Sequence, residues 1–146
     1  MEMFHEAEID PAPLTGKRVA IIGFGNQGRA QALNLKDSGI DVVIGLRDGS
    51  PRRGAAVAAG LNVETVAQAT AGADMIMLLA PDEVLSDIYR GIEPDVREGA
   101  TLGFSHGLAI HFGLIVPRPD LDVIMVAPKG PGHTVRSEYS RWSSTQ

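Results

Sequence analysis

Residues 18–28 read RVAIIGFGNQG. The run from Arg18 to Gly23 is short, apolar and unbroken, which suits a strand buried on both faces, as in a parallel sheet. Glycines then fall at Gly23, Gly25 and Gly28, the G-x-G-x-x-G spacing. Asn26 to Ser38 carries apolar residues at Ala30, Leu33 and Leu35 and stops at Gly39, which predicts a helix. Between a strand and a helix, each glycine has a physical task. Gly23 permits the tight turn, Gly25 lets backbone N–H groups approach a pyrophosphate, and Gly28 lets the helix lie close on the strand. The helix N-terminus then faces the anion with free donors and a partial positive charge. The bland alternative is a glycine-rich turn that holds nothing.

The same alternation continues along the chain. Residues 1–16 form a lead-in broken by Pro11, Pro13 and Gly16. Further strands are predicted at Val42–Ile44, Leu61–Val63, Asp74–Leu79, Ala100–Phe104 and Asp122–Val126. Helices are predicted at Arg52–Ala59, Thr65–Thr70 with Thr65 as cap, and Asp82–Arg90, with a further turn at Pro94–Arg97. Strands alternating with helices imply right-handed crossovers and an α/β, doubly wound, mainly parallel sheet covered on both faces, a Rossmann-type dinucleotide-binding domain.

Composition narrows the class. At 146 residues the chain is one domain, large enough for its own core. It has no cysteine, which excludes disulfides, thiolate metal sites and cysteine nucleophiles. Thirteen Lys and Arg against 18 Asp and Glu leave a net charge of −5, the wrong sign for general nucleic-acid binding. The acidic start MEMFHEAEID is unlike a signal or transit peptide. The longest apolar stretch, Met75 to Pro81, is far short of the roughly 20 residues that span a bilayer. A cytoplasmic protein without membrane partners is the expectation.

The end of the second strand bears on the choice of nicotinamide cofactor. An NAD site offers Asp or Glu there for the ribose 2′-hydroxyl. Here residues 45–53 read GLRDGSPRR, so Arg47, Ser50, Arg52 and Arg53 gather where a 2′-phosphate would lie. Arginine presents paired donors to phosphate oxygens, which favours NADP, although Asp48 opposes it and a solvated basic loop is the plain alternative. Asp82 and Glu83 follow the strand ending at Leu79, where Asp82 is expected beside a cofactor or as a helix N-cap, and both roles can hold together. His106 follows the strand ending at Phe104, a position suited to proton transfer or substrate polarisation. Lys129 sits in PKGPGH, held by two prolines and two glycines near the same edge, to bind an anionic substrate, to neutralise acidic groups around a metal, or simply to be solvated. No cluster of acidic residues or histidines has recognisable metal spacing.

Taken together, GFGNQGRAQALNLKDSGIDVVIGLR, LAPDE, FSHGLAIHF and DVIMVAPKGPGHTVRSEY resemble the N-terminal domain of ketol-acid reductoisomerase (acetohydroxyacid isomeroreductase) from about residue 14 to 139. The last segment is the most specific. The resemblance implies NADPH as cofactor and Mg²⁺ in the complete enzyme. It implies alkyl migration in 2-acetolactate or 2-aceto-2-hydroxybutyrate followed by hydride reduction, in branched-chain amino-acid biosynthesis. It implies cofactor contacts at Phe24, Gly25, Asn26, Gln27, Arg47, Ser50, Asp82, Glu83, Val84, Leu85 and Gly132, to which the glycine spacing adds Gly23 and Gly28 and the arginine loop adds Arg52. His106 matches the family's active-site histidine, and Lys129 the lysine near metal and substrate.

The chain departs from the family pattern. Phe24 and Asn26 replace a usual tyrosine and serine, and Arg29 and Gln31 stand where histidines are common. Arg52 replaces a frequent serine, Leu85 a usual glutamine, and Leu108-Ala109 a common Phe-Asn or Phe-Ser pair. The domain is expected to span 17–139, and 140–146 (SRWSSTQ) to be a divergent tail in place of the family's link to an all-helical domain. That domain supplies the acidic Mg²⁺ ligands and most of the substrate pocket in the family. Without it the expectation is a natural truncation, a frameshifted product or a small diverged paralogue, inactive alone. The acetohydroxy acid would bind only with a helical domain present, and uncovered apolar surface would favour a homodimer. The alternatives are a stand-alone NADPH-binding module without catalysis and a small reductase of another substrate.

Overall fold

The computed structural model describes residues 10–143. Residues 1–9 of the lead-in and 144–146 of the tail lie outside the described part. Six strands form one sheet: β1 (Arg18–Ile22), β2 (Asp41–Leu46), β3 (Asn62–Thr65), β4 (Met75–Leu78), β5 (Thr101–Phe104) and β6 (Asp122–Met125). Their order is β3-β2-β1-β4-β5-β6 and every neighbour pair is parallel. The order reverses between β1 and β4, so a crevice opens at the carboxyl ends of those two strands, where open α/β sheets bind ligands.

Six helices connect or flank the strands: α1 (Asn26–Asp37), α2 (Arg53–Ala58), α3 (Val66–Ala71), α4 (Asp82–Ile92), α5 (Leu108–His111) and α6 (Gly132–Ser143). The pleat divides their partners by parity. Val19, Ile21, Val42, Ile44 and Met77 pack with Ala32 of α1 and Ala56 of α2. Ala20, Ile22, Ile76, Leu78, Leu102 and Phe104 pack with Ala69 of α3, with Leu85 and Tyr89 of α4, and with Ala109 of α5. Thr65 caps α3 through a reciprocal capping box with Gln68, as its place before the helix predicts.

Two features differ from the sequence expectation. The first is α6, a twelve-residue helix where only a rigid loop was expected, and it runs without a break past Tyr139. The second is the cover of the sheet, which is incomplete. By register Val123 and Met125 share the face of Leu102 and Phe104, yet they are exposed. The chain leaves β6 across the top of the sheet to dock α6 against α1, so no helix following β6 shields that edge.

At the opposite end of the sheet Arg118 ties the β6 approach to α4. It donates to the Glu93 carbonyl at 2.6 Å and the Val96 carbonyl at 3.0 Å. Its Nε and Nη2 grip both carboxylate oxygens of Asp120 at 3.0 and 2.9 Å. The Arg118 amide donates to the Tyr89 hydroxyl, whose pKa burial raises. The Arg118 hydrogen bond lowers the Asp120 pKa from 3.8 to about 2. A carboxyl with a depressed folded-state pKa stabilises the fold above its unfolded value and loses that contribution as pH falls through the folded one. The stability advantage of the parent over Asp120→Asn should therefore hold above pH 3.8 and vanish as pH falls toward about 2, in thermal melts across that window. An advantage that does not change with pH would contradict the ion pair.

Candidate functional site

The site is built on the turn between β1 and α1. Gly23 has φ +104, and a side chain there would meet the Leu79 carbonyl and the Ala80 amide nitrogen, both at 3.0 Å. Only glycine meets both conditions without strain. At Gly28 a Cβ would lie 2.7 Å from the Gly23 carbonyl oxygen, so the missing side chain is what lets α1 cross its own strand this closely. Gly25 is different. It has ordinary φ −82, and nothing lies within 4 Å of where its Cβ would be. It stands at the N-cap of α1, whose first turn takes no side-chain cap, and open space lies at this end of the helix. This is the cradle a pyrophosphate would fill.

Phe24 and Leu85 are placed otherwise than direct cofactor contact requires. The Phe24 side chain is buried with the β1–β2 core. Leu85 faces the opposite core beside Tyr89 and Phe104. In each, only the backbone is left to face a ligand. Gly132 is also buried, because a side chain there would run into the Asn26 carbonyl. It brings α6 down on the first turn of α1, a packing reason for a glycine first noted for cofactor contact.

On one side of the cradle lies the β2–α2 loop. Arg52 donates through Nη1 to the Phe24 carbonyl at 3.1 Å, which ties this loop to the glycine turn. Ser50 is half-buried and accepts from the Arg52 amide at 3.4 Å. Arg53 turns away to the Val63 carbonyl at 3.3 Å. Arg47 and Asp48 are exposed. Arg47, Ser50, Arg52 and Arg53 thus all lie in or beside this loop, with Arg52 and Arg53 each bonded to a backbone carbonyl.

On the other side lie the ends of β4 and β5. The His106 Nε2 is 2.9 Å from Asp82 Oδ1. This carboxylate oxygen is buried and has no hydrogen-bond partner. Asp82 therefore does not act as N-cap of α4. Pro81 holds that position, and the Asp82 carboxylate is turned to His106. Glu83 and Val84, in the same first turn, are exposed. Lys129 is exposed in the loop that crosses the top of the sheet. That loop is fixed by a hydrogen bond from Gln27 Nε2 to the Gly130 carbonyl at 3.0 Å.

Sequence reasoning missed the seam between α1 and α6. Arg136 pairs with Asp37 at 2.6 Å and donates to Asn34 Oδ1 at 3.0 Å. The Ser38 and Tyr139 hydroxyls meet at 2.6 Å. The spacing of Val135, Tyr139 and Trp142 after Pro131 was the available helical signal. Among the described residues no group of three or more His, Asp or Glu is placed to hold a metal ion, and no helix is long and apolar enough to cross a membrane.

The family model for acetohydroxy acid isomeroreductase, NADPH-binding domain, matches residues 13–145. Among solved structures, an NADH-preferring ketol-acid reductoisomerase from an uncultured archaeon is 43% identical, with a TM-score of 0.91 over 97% of this chain and 45% of that one. The chain thus spans just under half that protein's length. The fold alone is shared with a putative oxidoreductase from a Jannaschia species (24% identity, TM-score 0.66, 74% of this chain and 40% of that one). It is likewise shared with 3-hydroxyisobutyrate dehydrogenase from Mycobacterium tuberculosis (19% identity, TM-score 0.66, 83% and 43%).

The glycines make separable predictions. Gly132→Ala should destabilise the chain by about 1–3 kcal/mol in urea unfolding, because it overpacks the α1–α6 contact. Gly25→Ala, with open space and an ordinary φ, should shift stability by less than about 0.5 kcal/mol. Equal losses would mean that the cradle is packed shut.

Proposed function

The chain belongs to the acetohydroxy acid isomeroreductase family through its NADPH-binding domain, and from that membership we propose that it lays NADPH across the β1–β4 switch point. The observation that carries this reading is the open space at Gly25 beneath an uncapped helix N-terminus. The pyrophosphate rests there, on the backbone of residues 23–28. The adenosine half extends over β2, where Arg47, Ser50 and Arg52 hold the 2′-phosphate. The nicotinamide half extends toward Asp82, Glu83, Val84 and His106.

In the complete enzyme the cofactor supplies the hydride that reduces the acetohydroxy acid. In this chain His106, kept in place by Asp82, is the group that holds or moves a proton at the substrate end, and Lys129 attracts the substrate's carboxylate. The acidic Mg²⁺ ligands for the alkyl migration are those of the family's helical domain, as the family resemblance implies. The isolated chain then binds cofactor without turnover, and the stand-alone module is the second reading. A cytoplasmic place in branched-chain amino-acid synthesis goes with the same proposal. Uncovered Phe112, Val116, Val123 and Met125 draw two copies into a homodimer.

Calorimetric titration should show NADPH bound more tightly than NADH. Charge-assisted hydrogen bonds are each worth about 1.5–3 kcal/mol, so Arg47→Ala should weaken NADPH at least about tenfold and leave NADH unchanged. Equal affinities for the two cofactors in the parent would sink the arginine assignment. Adding a separately made helical domain with Mg²⁺ and 2-acetolactate should start NADPH oxidation if the chain is half of an enzyme, and should not if it is only a binding module. Light scattering at high concentration should give twice the chain mass; a monomer would rule out the dimer.

A further inference from the structure

A line of side-chain amides crosses the carboxyl edge of the sheet. Gln27 Nε2 donates to the Gly130 carbonyl at 3.0 Å. Gln31 Nε2 donates to Gln27 Oε1 at 3.4 Å and to Ser105 Oγ at 3.1 Å. All three side chains are partly buried. The line begins at the cradle and ends at the tip of β5, immediately before His106.

Counting donors and acceptors shows what this line leaves over. An amide NH₂ has two protons, and Gln31 spends both, one on Gln27 and one on Ser105. Its Oε1 keeps its acceptor capacity. Ser105 Oγ accepts from Gln31, so its own proton is available to donate. One free acceptor and one free donor therefore stand side by side. A primary carboxamide presents the complementary pair, an NH₂ donor and a C=O acceptor.

The position agrees with the chemistry. Neighbouring strands lie about 4.8 Å apart, so the end of β5 lies about 10 Å from β1, on the side away from the arginine loop. That is the half of the crevice left for the nicotinamide once the adenosine lies over β2. We propose that Gln31 and Ser105 form the subsite for the carboxamide of the nicotinamide ring, with Gln27 holding Gln31 in register. This rests on the NADPH reading above. The pair anchors the ring by its amide, next to His106, and so limits its rotation about the glycosidic bond.

The test compares NADPH with 2′-phospho-ADP-ribose, which keeps the adenosine half, the pyrophosphate and the second ribose but lacks the nicotinamide. Both are titrated into the full chain. Ser105→Ala should weaken NADPH about fivefold, the worth of one neutral hydrogen bond, and leave 2′-phospho-ADP-ribose within about twofold. Ser105→Thr, which keeps the hydroxyl, should stay near the parent for both. Gln31→Leu should behave as Ser105→Ala, with circular dichroism to confirm its fold; if it does not fold, the Ser105 pair decides alone. The inference is overturned if the parent binds the two ligands equally, if Ser105→Ala weakens neither, or if it weakens both alike. If the parent binds 2′-phospho-ADP-ribose but loses NADPH selectively in Ser105→Ala, the inference stands. If it binds neither ligand, the cofactor reading itself fails and the subsite with it.

Discussion

Gly28 has no side chain, and a Cβ there would lie only 2.7 Å from the Gly23 carbonyl oxygen, so glycine alone permits this close approach. The rest of the molecule depends on that approach. It lets α1 double back across β1 at once, which puts the helix N-terminus over the carboxyl end of the central strand. It also seats Ala32 of α1 in the core with Ile21 and Ile44. With one methyl more, the helix must lift, and both the cradle and that core layer open together.

The second dependence is the way α6 returns. A chain leaving the edge strand of a sheet has two choices: cover the edge or cross the top. Here it crosses, drawn by Arg136 to Asp37 and Asn34 and by Gln27 to Gly130. The gain is a roof beside the crevice, with the Lys129 loop set above the first turn of α1. The cost is the bare flank of β6. The site and the exposed apolar flank are thus two results of one routing decision.

Much of this was legible in the residues. Strands buried on both faces announce themselves as apolar runs, and β1 and β4 fell within a residue or two of expectation. The three glycines of the loop could be assigned tasks because each task is steric and local. What stayed hidden depends on partners distant in sequence. The α1–α6 seam is made of Asn34, Asp37, Ser38 and Arg136, which on a linear reading look like any solvated face. Asp82 looked like a cap because caps are the usual fate of such a residue, and only the fold brings His106 to it. Phe24 and Leu85 lie within cofactor motifs, yet the pleat and the helical turn direct their side chains into the two cores.

The bond from Arg52 to the Phe24 carbonyl joins the β2–α2 loop to the glycine turn. The two segments are therefore not mechanically independent. A loop transplanted from a relative would arrive without this tether, and its fit would depend on how firmly the turn holds unaided.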